Sequence, residues 1–450
     1  MKTTTRFFCQ ECGQDFPKWQ GRCTDCNAWN SLVEEKVVKG AKKGTTTLFK
    51  ESDAPRPITE ISAEDFPRIT SELKELDNVL GGGLVPGSVI LLGGEPGIGK
   101  STLLLQMSEQ YARLGHTVLY VTGEESTSQI ALRSARVGVE SDKLLVLAAT
   151  DLETIHKHVE AIKPRVLIID SIQTTFSSGM DSQPGSVAQL RECTFRIVNW
   201  CKGGNMAAFI VGHVTKEGTI AGPKLLEHMV DSVLYFESAP SQSLRLLRSI
   251  KNRFGSTHEI GLFEMTGKGM TEVTNPSALF LSERPERASG SAIVATLEGS
   301  RSILIEIQAL VSQSALPMPR RTTIGLDPNR VALLIAILEK RGGFRLFDQD
   351  IFVNVAGGIR ATETACDLSV AAALISSFRG QPVDEKTIFL GEIGLGGEIR
   401  SVPRAADRLK EAARIGFQRA VLPLRITKEL ENPPLELLPI ENIQELADKI

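Results

Sequence analysis

Through the middle of the chain, short unbroken apolar runs alternate with longer stretches of helical spacing. "SVILLGG" (88–94), "RVLIID" (165–170) and "MAAFIVGHV" (206–214) are dominated by Val, Ile, Leu and Ala. Strands buried on both faces of a parallel sheet read this way. Between the first two of these runs, "STLLLQMSEQYARLG" reads as a helix closed by Gly115. "SLRLLRSI" (243–250) reads as a further strand, while residues 37–57 are rich in Lys, Gly, Thr and Pro with little periodicity and read as a mobile linker.

At 450 residues the chain is too long for one ordinary core. The pattern divides it into residues 1–35, a linker 36–57, an α/β core 58–284 and a C-terminal domain 285–450. Its apolar runs fall far short of the roughly 20 residues that span a bilayer. The first residues, "MKTTTRFFCQECG", lack the apolar segment of a signal peptide, so the expectation is a cytoplasmic protein without a membrane partner. A net charge of −3 excludes a globally basic nucleic-acid binder and leaves room for a local basic surface.

Four of the seven cysteines stand in the first 26 residues. Cys9-x-x-Cys12 and Cys23-x-x-Cys26 are separated by ten residues, with Gly13 and Gly21 beside the pairs. Two such knuckles supply the four thiolates of a closed, structural Zn²⁺ site, in a module too small to build a sufficient apolar core. Trp19 and Trp29 are expected to pack on the knuckles, with exposed aromatics that stack on bases as the alternative. Cys193, Cys201 and Cys366 are scattered and read as small buried apolar residues.

"GEPGIGKS", Gly94 to Ser101, follows a strand, opens a helix and satisfies G-x-x-x-x-G-K-[ST] in full. Gly94, Glu95, Pro96, Gly97, Ile98, Gly99, Lys100, Ser101 and Thr102 border the expected ATP phosphates, and all but Pro96 have a backbone N–H group to offer. Lys100 is expected at the β- and γ-phosphates and Ser101 on Mg²⁺. Asp170, ending the strand "RVLIID", is placed to hold the Mg²⁺ through water. "TVLYVTGEES" ends in Glu124 and Glu125; a carboxylate there can orient the attacking water, and Glu124 is the preferred base. His213 reads equally as a γ-phosphate sensor and as a structural histidine. A glutamate after the P-loop helix and an aspartate on a later strand is the RecA/DnaB arrangement, with a doubly wound sheet and a nucleotide between subunits.

The zinc module, "GEPGIGKS", "VTGEES", "VLIIDSIQT", "VGHVTKEG", "DSVLYFE" and "KNRFG" occur in that order. Together they resemble the bacterial RadA (Sms) family of DNA repair proteins over essentially the whole chain. The resemblance implies a RecA-like core and a DNA-stimulated ATPase in a hexameric ring of the DnaB helicase type. It also implies movement along single-stranded DNA and extension of branched recombination intermediates formed by RecA. Channel-facing loops would carry the DNA contacts; residues 174–186 have no cation, whereas 215–224 offer Lys216 and Lys224. Lys251 and Arg253, two apart at the end of a strand, resemble the Lys-x-Arg pair that reaches a neighbour's γ-phosphate, with a basic DNA-facing hairpin as the alternative. A KaiC-like regulatory ATPase shares the P-loop and paired glutamates, but the zinc module and C-terminal domain argue against it.

That domain, through "VNVAGGIRATETACDLSVAAALISS" and "FLGEIGLGGEIRSVPRAADRLKEAARIGF", resembles the α+β proteolytic domain of Lon. The matched positions put Ala365 where the nucleophilic serine belongs and Ala406 at the lysine base, so an inactive scaffold is expected rather than an ATP-dependent protease. Arg400, Arg404, Arg408 and Lys410 read as exposed cations for duplex DNA or as an ordinary mixed-charge surface.

Overall fold

A computed structural model describes residues 3–9, 14–38, 57, 67–213, 225–238, 244–282, 284, 287–315, 318–358 and 360–450. Cys12, Lys216, Lys224, the side chain of His213 and most of the expected linker lie outside the described residues. The chain divides into two compact units, and along the sequence the division falls between Val273 and Thr274.

The first unit opens with a small antiparallel sheet in which β1 (Thr3–Cys9) pairs with both β2 (Asp15–Phe16) and β3 (Leu32–Val38). Its buried residues are Cys9, Cys23 and Leu32, with Phe7 and Phe16 against them, which is a small core for a folded module. Trp19 and Trp29 are not part of it. They are 56% and 71% exposed, and the guanidinium of Arg22 lies over Trp29 at 5.6 Å. Cys9 and Cys23, not the indoles, occupy the interior, which corrects the expected packing role and leaves the alternative of exposed aromatics.

The remainder of this unit is a nine-stranded sheet among the described residues. In chain order its elements are α1 (Lys74–Leu80), β4 (Val89–Gly94), α2 (Lys100–Arg113), β5 (Val118–Thr122), α3 (Thr127–Val137), β6 (Leu144–Ala148), α4 (Leu152–Ile162), β7 (Val166–Asp170), α5 (Val187–Gly204), β8 (Ala207–His213), α6 (Leu225–Met229), β9 (Ser232–Ser238), β10 (Leu244–Asn252), β11 (Ile260–Thr266) and β12 (Gly269–Glu272). The spatial order is β12-β11-β10-β9-β4-β8-β7-β5-β6. From β9 to β6 every pair is parallel, whereas β10 to β12 run antiparallel. Strands β4 and β5 are buried along their whole length, as their unbroken apolar runs predict. Apolar side chains cover both faces of the sheet, one with Leu103, Leu104 and Met107 of α2, the other with Leu190, Ile197 and Val198 of α5.

In the second unit α7 (Pro276–Leu281) precedes the long hairpin of β13 (Ser291–Glu298) and β14 (Arg301–Gln313). There follow β15 (Arg321–Ile324), α8 (Pro328–Lys340), β16 (Gln349–Val355), α9 (Asp367–Arg379), β17 (Thr387–Phe389), β18 (Glu392–Ile393), β19 (Ile399–Arg400), α10 (Ala405–Ile415), β20 (Arg419–Pro423) and β21 (Glu436–Ile440). The main sheet runs β15-β16-β14-β13-β17-β20-β21 and mixes parallel with antiparallel pairs. Ala365 is buried, Ala406 is exposed, and the nearby hydroxyls of Ser369 and Ser376 donate to the carbonyls of Cys366 (2.7 Å) and Gln381 (2.5 Å). Arg400, Arg404 and Lys410 are exposed, but Arg408 is not. Its side chain is 0% exposed and forms a two-pronged ion pair with Glu363 at 2.6 and 2.7 Å. Arg408 lies on the same helix face as Ala405, Leu409 and Ala412, all buried, which corrects its reading as a surface cation. No helix among the described residues is long and apolar enough to cross a membrane.

Candidate active site

The P-loop leaves the sheet at the C-terminal end of β4. Its turn depends on glycine: Gly97 and Gly99 have φ of 77° and 114°, and a Cβ on Gly99 would meet Met270 Cε at 2.1 Å and Met265 Cε at 2.7 Å. Helix α2 then begins at Lys100 with no side-chain cap and no acidic residue in its first turn. Its first N–H groups therefore face the cleft without a side-chain acceptor from the helix, as an anion site requires. Lys100 is 5% exposed and donates to the carbonyls of Gly94 (2.7 Å) and Glu95 (2.9 Å). Burial holds its ammonium pKa below the ordinary lysine value, partly opposed by the Asp170 and Glu124 carboxylates. A buried cation whose hydrogen-bond partners are neutral carbonyls suits a phosphate.

Around this loop lies a cleft of about 530 Å³. Ser101, Asp170, Glu124 and Glu125 line it from one side, the β11–β12 turn (Thr266, Gly267, Gly269) from another. Strand β5 is separated from β4 by β8 and β7, so crossovers, not adjacency in sequence, bring Glu124 to the P-loop. Glu124 accepts a hydrogen bond from Ser171 Oγ (2.5 Å), whereas Glu125 is paired with Arg133 Nη2 (2.5 Å). Arg133 and Arg136 also line the cleft, and sequence reasoning missed both. Both lie on α3, whose start is marked in the sequence by the capping box Ser126–Gln129. The residue set fits a magnesium nucleotide: a loop and helix N-terminus for phosphates, one lysine, and a hydroxyl and a carboxylate at the cleft for a hard cation. Bound Mg²⁺ supplies charge neutralisation between the phosphates.

Lys251 and Arg253 are elsewhere. Gly94 is opposite Phe236 on β9, and Phe236 is opposite Leu247 on β10, so the P-loop end of the sheet is level with Leu247. Lys251 is opposite Val233, level with Leu91, three residues lower on β4 and thus about 10 Å toward the other end of the strands. The Lys251 ammonium donates to the carbonyls of Glu227 (2.6 Å) and Val230 (2.8 Å), capping the end of α6. Burial and the neighbouring Arg253 lower its pKa. Arg253 Nη1 pairs with Asp231 at 3.1 Å.

The turn that follows is fixed from three sides. Asn252 Oδ1 accepts from the Phe254 N–H (2.9 Å), and Arg68 Nη2 donates to the Phe254 carbonyl (2.6 Å). A Cβ on Gly255 would sit 3.0 Å from the Gly81 Cα. Arg68 carried no signal in the sequence, because its partners are backbone carbonyls.

In the zinc module, the sulfurs of Cys9, Cys23 and Cys26 lie within 4.8 Å of one another, with Cys9 and Cys26 at 3.6 Å. Tetrahedral thiolates at about 2.3 Å from a zinc ion have sulfur–sulfur edges near 3.8 Å, so these three positions fit that metal.

Residues 7–34 match a rubredoxin metal binding domain, 54–219 an AAA domain, and 318–425 subunit ChlI of Mg-chelatase. The chain is 52% identical to DNA repair protein RadA of Halalkalibacterium halodurans over 94% of its length and 93% of that protein. It is 48% identical to the Bacillus subtilis RadA (99% of this chain, 98% of that one) and 48% identical to the Pseudomonas aeruginosa RadA (100% and 99%). The chain belongs to the RadA family of DNA repair proteins. Among solved structures, a KaiC-like protein from Pyrococcus horikoshii aligns with 46% of this chain and 99% of that one, at 21% identity and a TM-score of 0.39. As a RadA-family chain with an AAA domain, the protein is an ATP-hydrolysing enzyme of DNA repair. Its mixed α/β architecture comprises a RecA-like P-loop core, a small zinc ribbon and a Lon-like C-terminal region.

Proposed function

We propose that the protein is a DNA-dependent ATPase of homologous recombination, working as a DnaB-type hexameric ring on single-stranded and branched DNA and extending intermediates made by RecA. Gly94 to Thr102 bind ATP, Ser101 and Asp170 hold Mg²⁺, and Glu124 orients the attacking water. Lys251 and Arg253 act on the nucleotide of a neighbouring copy. Cys9, Cys12, Cys23 and Cys26 hold a structural zinc ion.

The register of β10 carries this reading. Lys251 sits at the end of the sheet opposite its own P-loop, too far for its side chain to reach the phosphates there. A cation so placed can contribute to phosphoryl transfer only across a subunit boundary. The same ammonium caps α6, the helix that directly follows the segment containing Lys216 and Lys224. One side chain thereby joins the intersubunit element to the candidate DNA segment, which favours a DNA-dependent cycle. Glu124 is the better base, because Glu125 is neutralised by Arg133. For the C-terminal domain, a buried Ala365, an exposed Ala406 and serines committed to carbonyls favour a proteolytically inactive scaffold.

The test is the ATPase rate with and without single-stranded DNA for the parent, Lys100→Ala and Lys251→Ala. Loss of a trans finger lowers turnover by about 10³–10⁵-fold, and DNA affinity should stay close to the parent's. Mixing the two inactive variants should restore part of the activity, since some boundaries then pair an intact P-loop with an intact Lys251. A proportional loss of DNA binding in Lys251→Ala, with no recovery on mixing, would instead make Lys251 a DNA contact.

A further inference from the structure

Tyr120 has no part in the site as described, yet its hydroxyl is bonded to a side chain assigned to magnesium. The residue is 0% exposed in the middle of β5, among the aliphatic side chains of the sheet. Its hydroxyl donates to Asp170 Oδ2 at 2.5 Å. A carboxylate can only accept, so the single phenolic proton belongs to this bond. The bond therefore has a fixed direction.

That direction suits a cation site. With Oδ2 held by a donor, Asp170 keeps Oδ1 for a cation in the cleft that the residue lines. Without the phenol, the carboxylate loses a contact that sets its plane.

We propose that Tyr120 is a positioning residue for the magnesium site, orienting Asp170 through one buried hydroxyl. The inference rests on the assignment of Asp170 to Mg²⁺. It distinguishes Tyr120 from an ordinary core tyrosine that satisfies its hydroxyl on the nearest acceptor, because the two readings differ in what Tyr120→Phe changes.

The experiment measures binding of a fluorescent ADP analogue to the full-length chain, in EDTA and across a Mg²⁺ titration, with Mn²⁺ bound to the ADP complex counted by electron paramagnetic resonance. For Tyr120→Phe the affinity in EDTA should match the parent's, because the phosphate cradle is untouched. The Mg²⁺ concentration at half-saturation should rise about 10–100-fold, the usual cost of removing an outer-shell partner of a metal ligand, with a matching loss of Mn²⁺ signal at fixed Mn²⁺. In an Asp170→Asn background, Tyr120→Phe should add little. An unchanged Mg²⁺ dependence overturns the proposal, whatever happens to the melting temperature. So does loss of nucleotide binding in EDTA, which would make the tyrosine a general support of the fold. If Asp170→Asn alone leaves the Mg²⁺ dependence unchanged, the assignment of Asp170 fails first, and the proposal with it.

Discussion

Among the described residues each unit of the chain buries one cation, and the two are treated in opposite ways. Lys100 in the P-loop is 5% exposed, and the partners it donates to are two neutral backbone carbonyls. Arg408 in α10 is 0% exposed and engages four of its five donors: it holds Glu363 with two, the Ala295 carbonyl with a third and the Pro403 carbonyl with a fourth. Glu363 in turn accepts from the Leu297 N–H at 2.8 Å. Burying a charge without a directly bonded counter-charge costs stability, and folded chains accept that cost where a ligand will later supply the missing charge. Lys100, whose burial the Asp170 and Glu124 carboxylates only partly oppose, is such a case. Arg408 is a strut.

Removing one partner from the buried pair is expected to have the largest effect. Glu363→Gln leaves a fully buried guanidinium facing a neutral amide, and breaking a buried pair in this way costs about 3–5 kcal/mol. Chemical denaturation of the intact chain reads this directly. Replacing both partners with apolar residues, as in Glu363→Leu with Arg408→Met, should recover most of the loss, because buried pairs contribute little net stability against a well-packed apolar equivalent. If the single variant were as stable as the parent, Arg408 would not be the strut its contacts describe.

Lys100→Ala should show the reverse profile. It removes a charge that the folded chain holds at a cost, so its melting temperature should equal or exceed the parent's. Turnover should fall by about 10²–10³-fold, the usual loss when one preorganised donor to a developing charge is removed. A variant that lost stability together with activity would place Lys100 beside Arg408, and the comparison would collapse.

How legible each cation was in the sequence follows the same division. Lys100 stands in a motif whose spacing is dictated by a ligand, so the pattern survives in the chain as letters. Asp170, which lines the same cleft, and the clustered Cys9, Cys23 and Cys26 stand in patterns of the same kind. Arg408 was misread because it sits among Arg404, Asp407, Lys410 and Glu411, a run that looks like a solvated face. The signal against that reading was helical phase: Ala405, Arg408, Leu409 and Ala412 fall on one face, and that face is buried. Tyr120 was illegible for a different reason. A tyrosine in an aliphatic strand reads as core, and only the parallel pairing of Tyr120 with Ile168, two residues before Asp170 on β7, brings its hydroxyl to the carboxylate. The place of Lys251 needed the β9–β10 register, which strand-length patterns do not contain.

A smaller effect tests whether the intersubunit element depends on its turn as well as its cations. Gly255→Ala adds a methyl 3.0 Å from the Gly81 Cα and 3.2 Å from Asn252 Nδ2, so the turn must shift. Both contacts are local, and global stability should change little. Displacement of a positioned group by about 1 Å can cost up to 10²-fold in rate, so DNA-stimulated turnover should drop while nucleotide binding holds. Gly255→Ala with parental turnover would show that the cations are aimed by something other than this packing.

The smallest and most discriminating prediction concerns pH, where the two buried cations should diverge at opposite ends of the scale. Burial alone would raise the Glu363 carboxyl pKa, but Arg408 outweighs it and holds it below the usual carboxylate value. A carboxyl depressed in the folded state contributes its full stability above its unfolded pKa, near 4.5, and loses it as pH falls through the lower folded value. The stability gap between the parent and Glu363→Gln should therefore be constant at neutral pH and narrow below about pH 4.5. Lys100 has the opposite sign. Its folded pKa lies below the unfolded value, near 10.5, so the unfolded chain binds more protons between the two and stability rises with pH in that interval. Lys100→Ala should flatten this alkaline rise and leave the acid limb unchanged, while Glu363→Gln should do the converse. Thermal melts of both variants from acid to alkaline pH separate a charge held in reserve from one that is spent on the fold.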